Sequence, residues 1–82
     1  MKLVAVCVKD GAMDQFLSPM FVPTPAVATR WFGDQLNNPE SEFAKHPEDY
    51  DLYVVGSFEM ETGLLESALP DRIIRGRDMV KG

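Results

Sequence analysis

Asp51-Leu52-Tyr53-Val54-Val55-Gly56-Ser57-Phe58-Glu59-Met60-Glu61-Thr62-Gly63-Leu64-Leu65-Glu66-Ser67-Ala68 reads as a β-hairpin. β-Branched and aromatic residues dominate the first half, which suits a pleated, half-buried surface. Alternation would place Leu52, Val54 and Gly56 on one side and Tyr53, Val55 and Ser57 on the other. Met60 to Gly63 make the turn, with Gly63 supplying a positive φ. Leu64 to Ala68 return. Leu69-Pro70-Asp71 are expected to break that strand, and Arg72-Ile73-Ile74-Arg75 to add one short strand or a tail.

Upstream, Thr24-Pro25 is a helix start: threonine as N-cap, proline at the first helical position, where a missing N–H costs nothing. The helix runs over about 25–37. Ala28, Trp31, Phe32, Gln35 and Leu36 fall near one face, and Val27 extends it. Asn37-Asn38-Pro39 ends it, because the residue before a proline resists the α region. Gly33 inside the helix costs about 1 kcal/mol relative to alanine, which points to close packing. Glu40 to Lys45 suggest a helical turn that buries Phe43, and His46-Pro47-Glu48-Asp49-Tyr50 a compact connector. At the other end, Lys2 to Lys9 is a valine-rich strand, apolar on both sides and therefore central in a sheet. Asp10-Gly11 turns it, and Gln15 to Val22 is an edge strand or packed loop.

These elements predict an α+β fold: a small, mainly antiparallel sheet of three to five strands with one helix packed on a face. Residues 1–70 form the domain, and residues 71–82 a basic C-terminal tail or short extra strand. In 82 residues, burial on folding reaches only about 60% of the unfolded surface. Association would help so small a core, and a homodimer burying Trp31, Phe21 or the tail is expected. No apolar run approaches the roughly 18 residues of a membrane span, so no membrane contact is expected. The apolar stretch near Met1 is read as a strand and not a signal peptide. One cysteine, Cys7, cannot form an internal disulfide, which fits a reducing compartment.

The net charge of −5 excludes a generally basic nucleic-acid-binding domain. The distribution is uneven. Residues 34–66 hold nine acids against Lys45 alone, whereas four of the eight bases, Arg72, Arg75, Arg77 and Lys81, lie in the last eleven residues. The first block is a solvated face or a protein-binding surface. The second is a solvated end or a phosphate-binding patch with strongly salt-dependent affinity.

No catalytic residues are assigned. Cys7 lies within a valine-rich strand, where a thiol is an inert small hydrophobe. With one histidine and one cysteine, His46 and Cys7, the chain lacks the three or four N/S ligands of a zinc site. Its glycines are scattered singly, so no phosphate loop is present. Glu48, Asp49 and Asp51 cluster with His46, but successive acids are expected to splay apart, unlike the converging carboxylates of a nuclease. Among the eight aromatic residues, Tyr53 with Arg72 or Arg75 across the sheet, and Trp31 beside Arg30, could stack on bases.

The run Phe21-Val22-Pro23-Thr24, then Ala28, Phe32, Asp34, Asn37-Asn38-Pro39, Phe43, Lys45-His46-Pro47-Glu48-Asp49-Tyr50, Leu52-Tyr53, Gly56 and Phe58 resembles a small nonstructural protein of tailless single-stranded DNA phages. This is the product of the fifth open reading frame in the gokushovirus group of the microviruses. The resemblance covers about residues 2–68, and Lys45 to Tyr50 is its most specific part. It implies a protein of the infected bacterial cytoplasm, absent from the mature virion. It also implies a role in the switch from duplex copying to single-strand synthesis and packaging.

The expected function is therefore non-enzymatic, without cofactor or metal. In the first reading the protein binds single-stranded DNA, the phage replication or packaging proteins, or both. The nucleic-acid-binding residues are then Arg72, Arg75, Arg77, Lys81, Tyr53, Arg30 and Trp31. In the alternative, Glu48, Asp49 and Asp51 serve an acidic protein–protein adaptor or DNA mimic.

Overall fold

The computed structural model describes residues 1–80. Strand β1 (Lys2–Asp10) is followed by β2 (Gln15–Phe16), β3 (Met20–Val22), α1 (Pro25–Leu36), a short α2 (Glu42–Lys45), a 3-10 turn Pro47–Asp49, β4 (Tyr50–Glu59), β5 (Leu65–Arg75) and a second 3-10 turn Gly76–Asp78. The sheet order is β2-β1-β4-β5, with β3 paired to Val4–Val6 of β1 while β2 pairs with Lys9 and Asp10, and every pairing is antiparallel. This is the expected α+β architecture, with one main helix on one face.

Valine parity decides which face the helix takes. Val4, Val6 and Val8 share one side of β1, and their partners Val22, Val54 and Leu52 share it too. Val6, Val8, Val22 and Leu52 form the core with Ala28, Phe32 and Leu36 of α1. Phe32 and Leu52 are completely buried, a gain of about 1.5–3 kcal/mol each. Trp31, Phe43 and Tyr50 close one flank with ring contacts: Trp31–Phe43 at 6.1 Å and Phe43–Tyr50 at 4.8 Å between centroids. Val27, expected on the buried face, stands 47% exposed, in the first turn of α1 and beyond the packed stripe.

The helix ends as its local chemistry dictates. Thr24 Oγ1 accepts from the Val27 N–H at 3.4 Å, and Asn37 caps the C-terminus. Gly33 has a specific reason: a Cβ there would lie 2.9 Å from Met79 Cε, so glycine lets the C-terminal segment seat on the helix. Asn37 Nδ2 fastens that segment by donating to the Met79 carbonyl at 3.2 Å.

Two expectations about the hairpin are corrected. Leu69-Pro70-Asp71 do not break the strand; β5 runs through them to Arg75. The β4 partner moves from Val54↔Asp71 to Gly56↔Ser67, so Ala68, Leu69 and Pro70 together pass Val55 as a bulge. Proline is tolerated at a bulge on an outer strand because no ladder bond is asked of its nitrogen. The simple alternation of β4 also fails. Between Ala5 and Val6 the partner jumps from Gly56 to Val54, leaving Val55 as the extra residue. Beyond that point Ser57, and not Gly56, lies on the helix side, opposite Val4.

Candidate nucleic-acid interface

Among the described residues, no helix covers the second face of the sheet. Register brings Ala5, Cys7 and Lys9 of β1 beside Gly56, Tyr53 and Asp51 of β4 on that face, followed by Ser67, Arg72 and Arg75 of β5. From the other side Phe16 pairs with Lys9 and Phe21 with Ala5. Four aromatic rings thus stand on the uncovered face in two edge-to-face pairs. Phe16–Tyr53 has centroids 5.2 Å apart, and Phe21–Phe58 5.8 Å. Such pairs fix each other's orientation while leaving ring surface to solvent. Phe16 is 41% exposed and Phe21 42%.

Cations border the first pair. Lys9 Nζ sits 5.2 Å from the Phe16 ring centroid and 3.2 Å from Asp14 Oδ1. Arg72 on the opposite side reaches Asp51 Oδ2 at 3.7 Å, and Arg75 Nε donates to Asp78 Oδ2 at 3.2 Å. Each cation has a carboxylate partner, but exposed pairs of this kind hold by about 0–1 kcal/mol. An arriving phosphate can exchange for the carboxylate. Cys7 lies under this surface, 6% exposed, and burial pushes its thiol pKa up, so it packs as a small apolar group.

The expected site residues divide. Tyr53, Arg72 and Arg75 come together on the uncovered face, as cross-sheet pairing required. Arg77 lies exposed in the 3-10 turn that follows β5, and Lys81 falls outside the described residues. Arg30 and Trp31 are elsewhere. Trp31 is half-buried on the helix side against Phe32 and Phe43, so its ring is core material there, and Arg30 is exposed on α1. Lys9 and Phe16 stand beside Tyr53 on the same face and were not among the expected residues. Lys9 shares the parity of Ala5 and Cys7, which was a readable signal. The contact of Phe16 depends on the turn after Asp10, where Asp14 takes φ 55°, and no short-range pattern announces it.

The acids divide as well. Asp51 belongs to the basic side: it pairs with Arg72 and accepts from the Gly76 N–H at 3.3 Å, tying β4 to the C-terminal turn. The expected splaying is corrected for Glu48 and Asp49. One ligand atom from each and one from His46 lie within 4.8 Å of one another, because the 3-10 turn winds them onto one side. His46 Nδ1 is 3.8 Å from Glu48 Oε1. The turn is tied to the end of β1 by its backbone: the Asp49 carbonyl accepts from the Gly11 N–H at 2.7 Å. Tyr50, first in β4, has its phenol pKa raised by burial and by the nearby Asp10, Glu42 and Asp49 carboxylates.

The family described as phage ORF5 protein matches residues 3–79. The chain belongs to the phage ORF5 protein family. Curated proteins and solved structures give no match. The family match extends past Leu69, where the resemblance read from the residues stopped. It therefore takes in Arg72, Arg75 and Arg77. In this phage ORF5 protein no helix among the described residues is long and apolar enough to cross a membrane.

Proposed function

We propose that this phage ORF5 protein binds single-stranded DNA on the uncovered face of its sheet. The observation that carries the reading is the Phe16–Tyr53 pair bordered by Lys9 and Arg72. Aromatic faces accept any base, and flanking cations take the phosphates; that combination suits sequence-tolerant single-strand binding. A sheet face is a known way to present stacking residues to unpaired bases. Duplex bases, already stacked, offer such a surface nothing beyond their phosphates.

Within an infected bacterium such a protein would act without catalysis, as a nonstructural accessory outside the virion. Coating newly made single strands would favour single-strand synthesis over duplex copying, and would present the genome for packaging. The gokushovirus-type microviruses are the phage group in which we place it, on the residues from Lys45 to Tyr50. Replication or packaging proteins would be its protein partners. The segment holding Glu42 and Glu48 packs on the helix side through Phe43, which leaves a partner free to contact those acids while DNA occupies the other face.

The test is fluorescence anisotropy of a labelled 30-mer, titrated with the full chain at low and moderate salt. Single strands are expected to bind more tightly than duplex, with affinity falling as salt rises. Absence of single-strand binding at low salt would overturn the reading in favour of the acidic adaptor.

A further inference from the structure

The aromatic face continues beyond Tyr53 into a groove of about 280 Å³. Ala5 and Gly56 form its floor, Pro19 and Phe21 one wall, and Leu65 and Ser67 the other. We infer that this groove seats one nucleobase of the bound strand, stacked on Phe21. The inference rests on the single-strand reading above and deepens it.

Three observations choose a base as the occupant. The first is size: the volume sits at the lower bound of about 300 Å³ for small-molecule pockets, right for one flat ring system. The second is polarity. The lining is apolar except at Glu66 and Ser67. Glu66 pairs with Ser57 of the helix side, its carboxylate lies 3.8 Å from Lys2 Nζ, and its backbone carbonyl stands beside Gly56. The Ser67 hydroxyl and the Glu66 backbone carbonyl are polar groups for a base edge, few in number as such a pocket requires. The third is continuity of charge. Ala5↔Gly56 and Cys7↔Tyr53 are neighbouring pairs on one face, so groove and cation-bordered ring pair lie roughly 7 Å apart at the strand rise. A chain whose phosphates meet Arg72 and Lys9 carries its next base over the groove.

Phe21→Ala removes the stacking wall, and Ser67→Phe fills the groove from an exposed position; circular dichroism establishes that both remain folded. Each full-length variant is titrated against the labelled single-stranded 30-mer over a salt series, and its mass is taken by sedimentation equilibrium. Both variants are expected to bind roughly tenfold more weakly or worse, with the slope of log affinity against log salt unchanged, since no phosphate contact is lost. Wild-type binding that both variants retain in full would overturn the inference and leave the single-strand reading standing. A wild-type dimer that both variants convert to monomer would overturn it by assigning the groove to a second copy of the chain. Failure of the wild-type protein itself to bind would remove the reading and the inference together.

Discussion

Tyr53 on β4 stands directly opposite Arg72 on β5 because the ladder slips by one residue beside it. Leu52 pairs with Ile74, and a regular strand would set Ile73 against Tyr53. Both isoleucines instead pack against the core, which consecutive residues of a flat strand cannot do. The bulge that turns Ile73 inward brings the guanidinium-bearing residue to the uncovered face. Core packing thus builds the ring–cation pair that the functional account uses.

Separate readouts should divide the work of the two residues. Tyr53→Ala removes a stacking surface and is expected to weaken single-strand binding by about 1–3 kcal/mol without changing salt dependence. Arg72→Ala removes a phosphate contact and should lower the magnitude of the log–log salt slope by about 0.7. Anisotropy over a salt series measures both. Equal slopes for Arg72→Ala and wild type would remove Arg72 from the phosphate path.

Backbone proximity makes two glycines intolerant of a methyl group. A Cβ on Gly56 would lie 2.3 Å from the Glu66 carbonyl oxygen, and one on Gly76 would lie 2.3 Å from that of Tyr50. Neither obstacle is a movable side chain, so each alanine variant is expected to lose about 1–3 kcal/mol in urea denaturation. Gly76→Ala should also loosen the seat of Met79 on Gly33, visible as earlier proteolysis of the C-terminal segment.

Phe32 is the most sensitive core position. It is fully buried between α1 and the sheet, and Phe32→Ala is expected to cost about 3–5 kcal/mol. Against a total of about 4–12 kcal/mol for a domain of this size, that leaves a marginal fold. Thr24→Ala removes only the N-cap acceptor and should cost about 1 kcal/mol. Urea midpoints of the two variants should therefore differ severalfold in displacement from wild type.

Glu59 gives a pH dependence with a definite sign. Its Oε1 accepts from the Glu61 N–H at 3.1 Å and lies 3.0 Å from the Met1 ammonium. The Glu61 hydrogen bond first, and then the ammonium, hold its pKa below the ordinary 4.5. A depressed folded value means that the carboxylate's contribution is complete above 4.5 and fades as pH falls through the lower, folded value. The gap in urea midpoint between wild type and Glu59→Gln should be flat from pH 7 to 5.5 and close on further acidification. A gap that widens in acid would contradict this.

Features governed by neighbours in sequence were legible; features governed by distant pairing were not. Thr24-Pro25 and Asn37-Asn38-Pro39 fix the ends of α1 through local hydrogen bonding and proline sterics. The valines of β1 mark the core because parity is local as well. Pro70 misled because its meaning depends on β5 being an outer strand bulged past Val55, a property of the assembled sheet. The site was half legible for the same reason. Cross-strand reasoning found Tyr53 and Arg72, while Phe16 and Lys9 needed the return of β2 along β1. Trp31 and Arg30 looked equivalent to Tyr53 and Arg72 by composition, yet α1 turns the indole into the core.

Chemical-shift mapping of single-stranded DNA titrated into the isotopically labelled full chain locates the strand on the protein. The largest shifts are expected on Lys9, Phe16, Phe21, Tyr53, Arg72 and Arg75, with Arg30, Trp31, Glu48 and Asp49 nearly unmoved. Shifts concentrated on α1 or on the Pro47–Asp49 turn, or no shifts at all, would contradict single-strand binding on the uncovered face.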